Sequence, residues 1–394
     1  MVSREIAPGI HWVGSLDFDR RLFDELIPLP EGTSYNSYLI RGSGKTALID
    51  TVDQSKEEEL IVNLLKLGVD QIDYIVINHA EQDHSGALPM VLEMYPRAKV
   101  VTNEKCRDLL VSLLQIPLES VQVVKDGETL PLGDRTLRFF LTPWTHWPET
   151  QITYLEEDRI LFSCDLFGFH VASSELFLTN EAEAYRSAKR YYAEIMMPFR
   201  NSIKGYVQKV RDINPALIAP SHGPVHRNPK FILDAYADWV SDEVKNEVII
   251  PYVSMHGSTR NMVDHLTGAL IARGINVKPF NLTRTDIGEL ASSLVDAATI
   301  IVATPTVLFG PHPQIVYATY LANALKPKVR FASVIGSFGW GGKSAETIVK
   351  MLDHLKVEVL EPVVIKGMPD EAAVVALNRL ADDIAKKHKE IGIL

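Results

Sequence analysis

Short apolar runs bounded by Gly, Pro and Asn alternate with stretches of helical period along the chain. In the first half, Gly9–Gly14, Asn36–Ile40 and Lys45–Asp50 read as strands, the last two joined by the hairpin-like Arg41-Gly-Ser-Gly44. Ser55 to Leu67 has helical spacing, with Ser55 as N-cap and Gly68 just past its end. The strand Ile72–Asn78 follows. Strand, turn, strand, helix, strand in that order predicts a layered α/β sandwich. Three further apolar runs, Thr136–Pro143, Arg159–Cys164 and Ala216–Pro220, read as strands that stop abruptly in polar loops. Glu181–Phe199 reads as one long helix, Asn201–Asn214 as a second, and Phe231–Lys245 as an amphipathic helix leading out of a first domain that ends near Asn246.

The rhythm then changes to regular alternation: strand Glu247–Val253, helix Thr259–Arg273, strand Val277–Asn281, helix Ile287–Leu294 and strand Ala298–Ala303. Helix Gln314–Leu325, strand Val329–Ile335, helix Ser344–Leu355, strand Val357–Ile365 and a last helix from Glu371 to about His388 complete it. Five strands with intervening helices predict a doubly wound five-stranded parallel sheet covered on both faces. Val277–Asn281, the least apolar strand, suits an edge. The expected domains are therefore residues 1–246 and 247–394 of the 394-residue chain.

Composition narrows the function classes. The chain is 46% hydrophobic and 23% charged, ordinary for a soluble globular protein. A net charge of −10 argues against non-specific nucleic-acid binding. No apolar stretch has the length of a membrane span, and the first residues lack the apolar core of a signal peptide, so the expected location is cytoplasmic, with no membrane partner. Cys106 and Cys164 are too few for an iron–sulfur cluster or a four-cysteine iron module. Redox chemistry in this chain would need other centres and an external electron donor.

Candidate chemistry starts at His79-Ala-Glu81-Gln-Asp83-His84, which terminates the apolar run Tyr74-Ile-Val-Ile-Asn78. Four metal-capable side chains at the end of a buried strand need partners, and a metal supplies them. Their spacing lets a loop converge His79, Glu81 and Asp83 while His84 turns toward a second ion. Three more strand ends each present one such residue beside Gly or Pro: His146 before Trp147-Pro148, Asp165 before Gly168, and His222 before Gly223-Pro224. Four ligand-bearing strand ends at one edge of a sandwich make a dinuclear site.

The order His79-x-Glu81-x-Asp83-His84, His146, Asp165, His222 resembles the metal ligands of metallo-β-lactamase-fold proteins, whose domain is an αββα sandwich. Hydrolases of that fold usually carry histidine where this chain has Glu81. Glu81, Trp147-Pro148 and the stretch Asp24-Glu-Leu-Ile-Pro-Leu-Pro30 instead resemble the flavodiiron proteins. Carboxylates there also suit iron, whose ferric state needs hard anionic donors, whereas zinc is content with imidazole. The resemblance implies that His79, Glu81 and His146 hold one iron, Asp83, His84 and His222 the other, and Asp165 bridges them, with no catalytic group beyond these ligands. His170 and His226 are expected as neighbours or surface groups. Tyr191 and Tyr192 cannot be placed.

In the second half, Ser254, Met255, His256, Gly257, Ser258 and Thr259 lead directly into a helix, offering hydroxyls and free N–H groups that suit a phosphate. Thr304, Pro305, Thr306, Val307, Leu308, Phe309 and Gly310 follow the third strand. Ser337, Phe338, Gly339, Trp340, Gly341 and Gly342 follow the fourth. Apolar and aromatic residues among glycines can cover a flat ring while backbone groups bond its edge. A phosphate loop with two ring-clamping loops resembles flavodoxin with its FMN.

A metallo-β-lactamase-like diiron domain followed by a flavodoxin-like domain resembles the simplest, A-type flavodiiron proteins over essentially the whole chain. That resemblance implies two non-haem iron ions and FMN, and reduction of dioxygen to water or nitric oxide to nitrous oxide. It implies an external donor (rubredoxin, another small carrier or a reduced deazaflavin) and a head-to-tail homodimer or dimer of dimers. Two rivals make different expectations: a zinc hydrolase of the same fold with an attached flavodoxin domain, and an electron carrier with a structural metal domain. Neither would consume dioxygen.

Overall fold

The computed structural model describes residues 3–352 and 355–394. The chain divides into two compact units. One runs to Tyr191 and resumes over Phe199–Val240; the other combines Tyr192–Pro198 with Ser241–Leu394.

The first unit is a sandwich of two sheets. The strands of one lie in the order Arg4–Ala7, Ile10–Trp12, Tyr38–Arg41, Thr46–Ile49, Tyr74–Val76, Lys99–Thr102 and Val121–Val123. The other sheet runs Thr129–Pro131, Thr136–Leu141, Gln151–Leu155, Ile160–Cys164 and Leu217–Pro220. Alternation along the strands divides their side chains between two cores. Ile40, Ile49 and Val76 face Phe139, Leu155 and Phe162 between the sheets. Leu39, Leu48 and Ile75 face outward, against Leu60 and Leu64, Leu88 and Val91, and Cys106 and Leu110 of helices Glu57–Lys66, Leu88–Met94 and Glu104–Leu114. On the far side, Tyr206 of helix Arg200–Ile213 donates to Pro143 O at 2.9 Å, and Tyr236 of helix Pro229–Trp239 meets the Phe167 ring. The four layers are the expected αββα sandwich.

The second unit is doubly wound. Its parallel strands lie in the order Asn276–Asn281, Lys245–Tyr252, Ala297–Val307, Phe331–Phe338, with Glu358–Val359 and Val363–Lys366 beside the last. The second strand in sequence is the edge, and the chain reverses between the first and third, which puts a switch point at their carboxyl ends. Helices Ser258–Ile271 and Glu371–Glu390 cover one face; Ile287–Leu294, Pro313–Leu325 and Ser344–Leu352 cover the other.

Several local expectations are corrected. The first-unit helix opens as a short 3₁₀ turn, Gln54–Lys56, and its cap is Asp53, whose carboxylate accepts from Ser55 N; Ser55 is not the cap. Glu181–Phe199 is not one α-helix. It is α over Glu181–Tyr191, π over Tyr192–Met196 and 3₁₀ over Met197–Phe199. Pro198, which has no N–H to donate, lies in the 3₁₀ segment. The helix expected over Phe231–Lys245 ends at Trp239, and Lys245 already begins a strand. Val357–Ile365 is split by Leu360-Glu361-Pro362 into two short strands. Thr304–Val307 extends the third strand instead of leaving it. Positions 353–354 of the helix expected over Ser344–Leu355 lie outside the described residues.

Candidate metal centre

The strand Tyr74–Val76 is tied off at Asn78. Asp50 accepts from Asn78 N at 2.7 Å and from Asn78 Nδ2 at 2.8 Å, while Asn78 O accepts from Gln151 N of the other sheet. The chain then folds into a four-residue helix, Gln82–Ser85, pinned by Ser85 Oγ donating to Ala80 O and Thr51 N donating to His84 O. His146 leaves its strand through a tight turn. It and Trp144 take positive φ (52° and 67°), and Trp144 N donates to Trp147 O at 2.7 Å. Asp165 follows Cys164, also at positive φ, and Gly168 N donates back to Asp165 O. His222 is set by Asn36, whose Nδ2 donates to Pro220 O and Gly223 O.

These four strand ends bring together all seven side chains singled out in the sequence. Glu81 Oε2 lies 3.0 Å from both His79 Nε2 and His146 Nε2. Asp165 Oδ2 lies 3.7 Å from His79 Nε2 and 3.4 Å from His146 Nε2. The other oxygen, Oδ1, lies 3.1 Å from His84 Nε2 and 3.4 Å from His222 Nε2. Asp83 completes that second group, with Oδ1 3.2 Å from His84 Nε2 and Oδ2 3.1 Å from His222 Nε2. Asp165 therefore turns one oxygen toward each of two trios.

His79 Nε2 is within hydrogen-bond distance of Glu81 Oε2, at 3.0 Å, and of His146 Nε2, at 3.2 Å, but the second group is not satisfied in this way. Both oxygens of Asp83 and Nε2 of His84 are buried without a hydrogen-bond partner. Orphaned donors and acceptors of this kind cost free energy unless something else satisfies them. Two ligands about 2.1 Å from one ion and at right angles stand about 3.0 Å apart. The spacing fits atoms aimed at shared ions. Two such groups, His79/Glu81/His146/Asp165 and Asp83/His84/His222, each keep their ligand atoms within 4.8 Å of one another.

Charge supports the same reading. Burial should lower each imidazole, but neighbouring carboxylates overcome it. Glu149, Glu81 and Asp165 raise His79 well above its ordinary value, and Asp165 and Asp83 raise His84. Asp165 and Glu81 hold His146 at about 9, and Asp165 and Asp83 hold His222 at about 10. Burial should raise Glu81 and Asp165, yet the surrounding imidazoles hold both carboxylates below their usual range. The carboxylates thus hold protons on the imidazoles where a metal ion would replace them. Glu81 and His146 are half-buried and form its open side; the other five ligand candidates are buried.

The surrounding shell holds what the sequence left open. Glu149 O ε1 accepts from His79 Nδ1 at 2.7 Å, and Tyr191 OH donates to Asp165 Oδ1 at 2.9 Å. Nothing in their spacing marks either residue, though Glu149 lies just three positions after His146. His170 packs its ring against His222, centroids 4.6 Å apart, and its Nδ1 meets Thr33 Oγ1. His226 is buried and donates to Phe167 O.

In the second unit the three suggested loops meet at the carboxyl ends of the strands. Gly257 takes positive φ at the start of helix Ser258–Ile271, and Ser254 Oγ accepts from Gly257 N and Arg260 N, both at 3.2 Å; a helix start of this kind suits an anion. Ser258 and Thr259 reach Ser337 Oγ at 2.8 and 3.2 Å. Thr306 Oγ1 meets Ser344 Oγ at 2.8 Å, and Lys343 N donates to Phe309 O. Leu308 and Phe309 form a hairpin tip at positive φ and, with Trp340, stand out in solvent. A flat ring would have apolar walls here and a helix start for its phosphate.

Residues 33–223 match the ODP family beta lactamase, and residues 250–376 match flavodoxin. The chain is similar to the nitric oxide reductase of Moorella thermoacetica, 35% identical over 363 residues that cover 90% of each chain. Its structure is similar to the rubredoxin oxygen:oxidoreductase from the anaerobe Desulfovibrio gigas, with a TM-score of 0.95 and 31% identity over 98% of this chain and 99% of that one. It is similar also to the flavodiiron protein from Giardia intestinalis, with a TM-score of 0.92 and 28% identity, covering 98% of this chain and 96% of the other.

Proposed function

The chain belongs to the flavodiiron proteins, and from that premise we propose that it reduces dioxygen to water, nitric oxide to nitrous oxide, or both, at a non-haem diiron site fed by FMN. The observation that carries this reading is the donor set: three carboxylates among seven converging side chains, with Glu81 where a zinc site would be content with an imidazole. His79, Glu81 and His146 would hold one iron and Asp83, His84 and His222 the other. Asp165, with one oxygen toward each trio, would bridge them. FMN would sit on the loops 254–259, 304–310 and 337–342, its phosphate at the start of the helix at Ser258. The working division is residues 1–246 for the metal domain and 247–394 for the flavin domain. When bound, two ferrous ions supply two electrons and reduced FMN two more, the four that dioxygen needs, while coupling two nitric oxide molecules needs two.

The chain's own residues do three things. Glu81, Asp83 and Asp165 would offset part of the charge of the bound metals. Burial of five of the seven ligands keeps bulk water from their far side, so small substrates enter past the half-buried pair Glu81 and His146. Asn78, Asn36 and the turn at His146 hold the ligands in place before any metal arrives. An external carrier such as rubredoxin would supply the electrons, in keeping with the similarity to a rubredoxin oxygen:oxidoreductase. We take the working form to be a head-to-tail homodimer in which one subunit's FMN serves its partner's irons. Among the described residues no helix is long and apolar enough to cross a membrane.

The test is to reduce the iron-loaded, FMN-loaded protein anaerobically and mix it with dioxygen or nitric oxide. The reading predicts consumption of at least one gas, with four electrons per dioxygen or one per nitric oxide and no hydrogen peroxide. Oxidation of the flavin without gas consumption would contradict it.

A further inference from the structure

The two trios of ligands are backed differently. Behind His79 stands a buried carboxylate. Glu149 can only accept, so His79 Nδ1 carries the proton and donates to Oε1 at 2.7 Å; the same oxygen accepts from Ala80 N at 3.1 Å. Glu149 Oε2 is buried without a hydrogen-bond partner, so no second donor draws off its charge. Behind His222 stands a neutral peptide: Nδ1 donates to Ser34 O at 2.6 Å.

The bridging carboxylate is uneven as well. Its Oδ1, which faces His84 and His222, accepts from Tyr191 OH at 2.9 Å. Its Oδ2, which faces His79 and His146, has the Cys164 thiol at 3.8 Å, a much weaker donor. A carboxylate hydrogen-bonded to the far nitrogen of an imidazole makes it a more basic ligand and stabilises the higher metal charge. A phenol on a ligand oxygen withdraws charge and stabilises the lower one. Both asymmetries have the same sign.

We infer that the two metal positions are built with unequal reduction potentials, the one at His79, Glu81 and His146 giving up its electron first, and that Glu149 is the positioning residue that sets the difference. The inference rests on the diiron reading above. The step is a one-electron oxidation of a single ferrous ion to ferric, with the other still ferrous and no atom transferred. FMN can return electrons singly, so a fixed order of oxidation also fixes where each returns.

The test is an anaerobic titration of the diferrous protein with ferricyanide, a one-electron oxidant, followed by low-temperature EPR and Mössbauer spectroscopy. The native chain should accumulate the ferrous–ferric pair after one equivalent. Glu149→Gln keeps an acceptor oxygen but removes the charge; it should raise the first potential and largely abolish that accumulation. Glu149→Asp should restore it in part. Tyr191→Phe works from the other side, lowering the second potential, and should diminish the mixed-valent yield too. A Glu149→Gln protein that keeps two irons per chain with both potentials unmoved, or moved together, overturns the inference. If Glu149→Gln loses its iron, Tyr191→Phe decides, and an unchanged mixed-valent yield there overturns it. A native chain without iron would instead defeat the diiron reading itself.

Discussion

Replacing Glu81 by histidine keeps a donor at the same place and removes its charge. The variant should exchange iron for zinc and lose gas reduction, by about 100-fold or more, since the ferric state loses a hard anionic ligand. Metal analysis alongside gas consumption checks this, and a Glu81→His protein that keeps iron and full turnover would refute it. Protons compete for the same ligands. His146 at about 9 and His222 at about 10 stand above the ordinary 6.5 for imidazole, so the metal-free chain holds both protonated through neutral pH. Metal must displace those protons, and apparent affinity should rise with pH, about tenfold per unit for each proton displaced. Chelator competition between pH 6 and 8 measures it; a flat profile contradicts it. At this scale the ligands were legible because each sits where an apolar run stops in a charge. Glu149 and Tyr191 were not, because a loop's spacing does not say which way its side chains point, and a helix position such as Tyr191 looks like any core tyrosine.

Among the elements, the strands and helices of the second unit follow the sequence reading closely, because its parallel sheet is buried on both faces and its strands are continuous apolar runs. Three of the misread elements depended on single residues. Pro198 and Pro362 interrupt runs whose periodicity continues through them, and the cap at Asp53 outcompetes Ser55 because its carboxylate bonds both Ser55 N and Ser55 Oγ. One buried histidine ties the last helix to the sheet. His388 Nδ1 donates to Asn246 Oδ1, and Thr299 Oγ1 meets its Nε2, both at 2.8 Å. Burial lowers this imidazole to about 4 from an unfolded value near 6.5. The folded state therefore resists the proton that the unfolded state accepts. Stability from this residue is complete above pH 6.5 and drains away as the pH falls toward 4. Denaturant titrations of His388→Gln should show a shallower loss over that window than the native chain; parallel curves would contradict the assignment.

For the whole molecule, the account requires electrons to pass from a flavin to a metal pair, and the proposed dimer has them pass between subunits. Two inactive chains test this: His79→Ala, which lacks a metal ligand, and Ser258→Glu, which sets a negative charge where the phosphate should lie. Unfolded apart and reassembled as a mixture, half the dimers contain one of each. Transfer between subunits leaves one working pair in each mixed dimer and should restore on the order of a quarter of native activity. Transfer within a subunit restores none. The central claim, that this chain is a diiron redox protein, is tested most directly by elemental analysis of protein purified anaerobically from cells given no added metal. The account predicts about two irons per chain and negligible zinc. Two zincs and no iron, unchanged after growth with abundant iron, would contradict it.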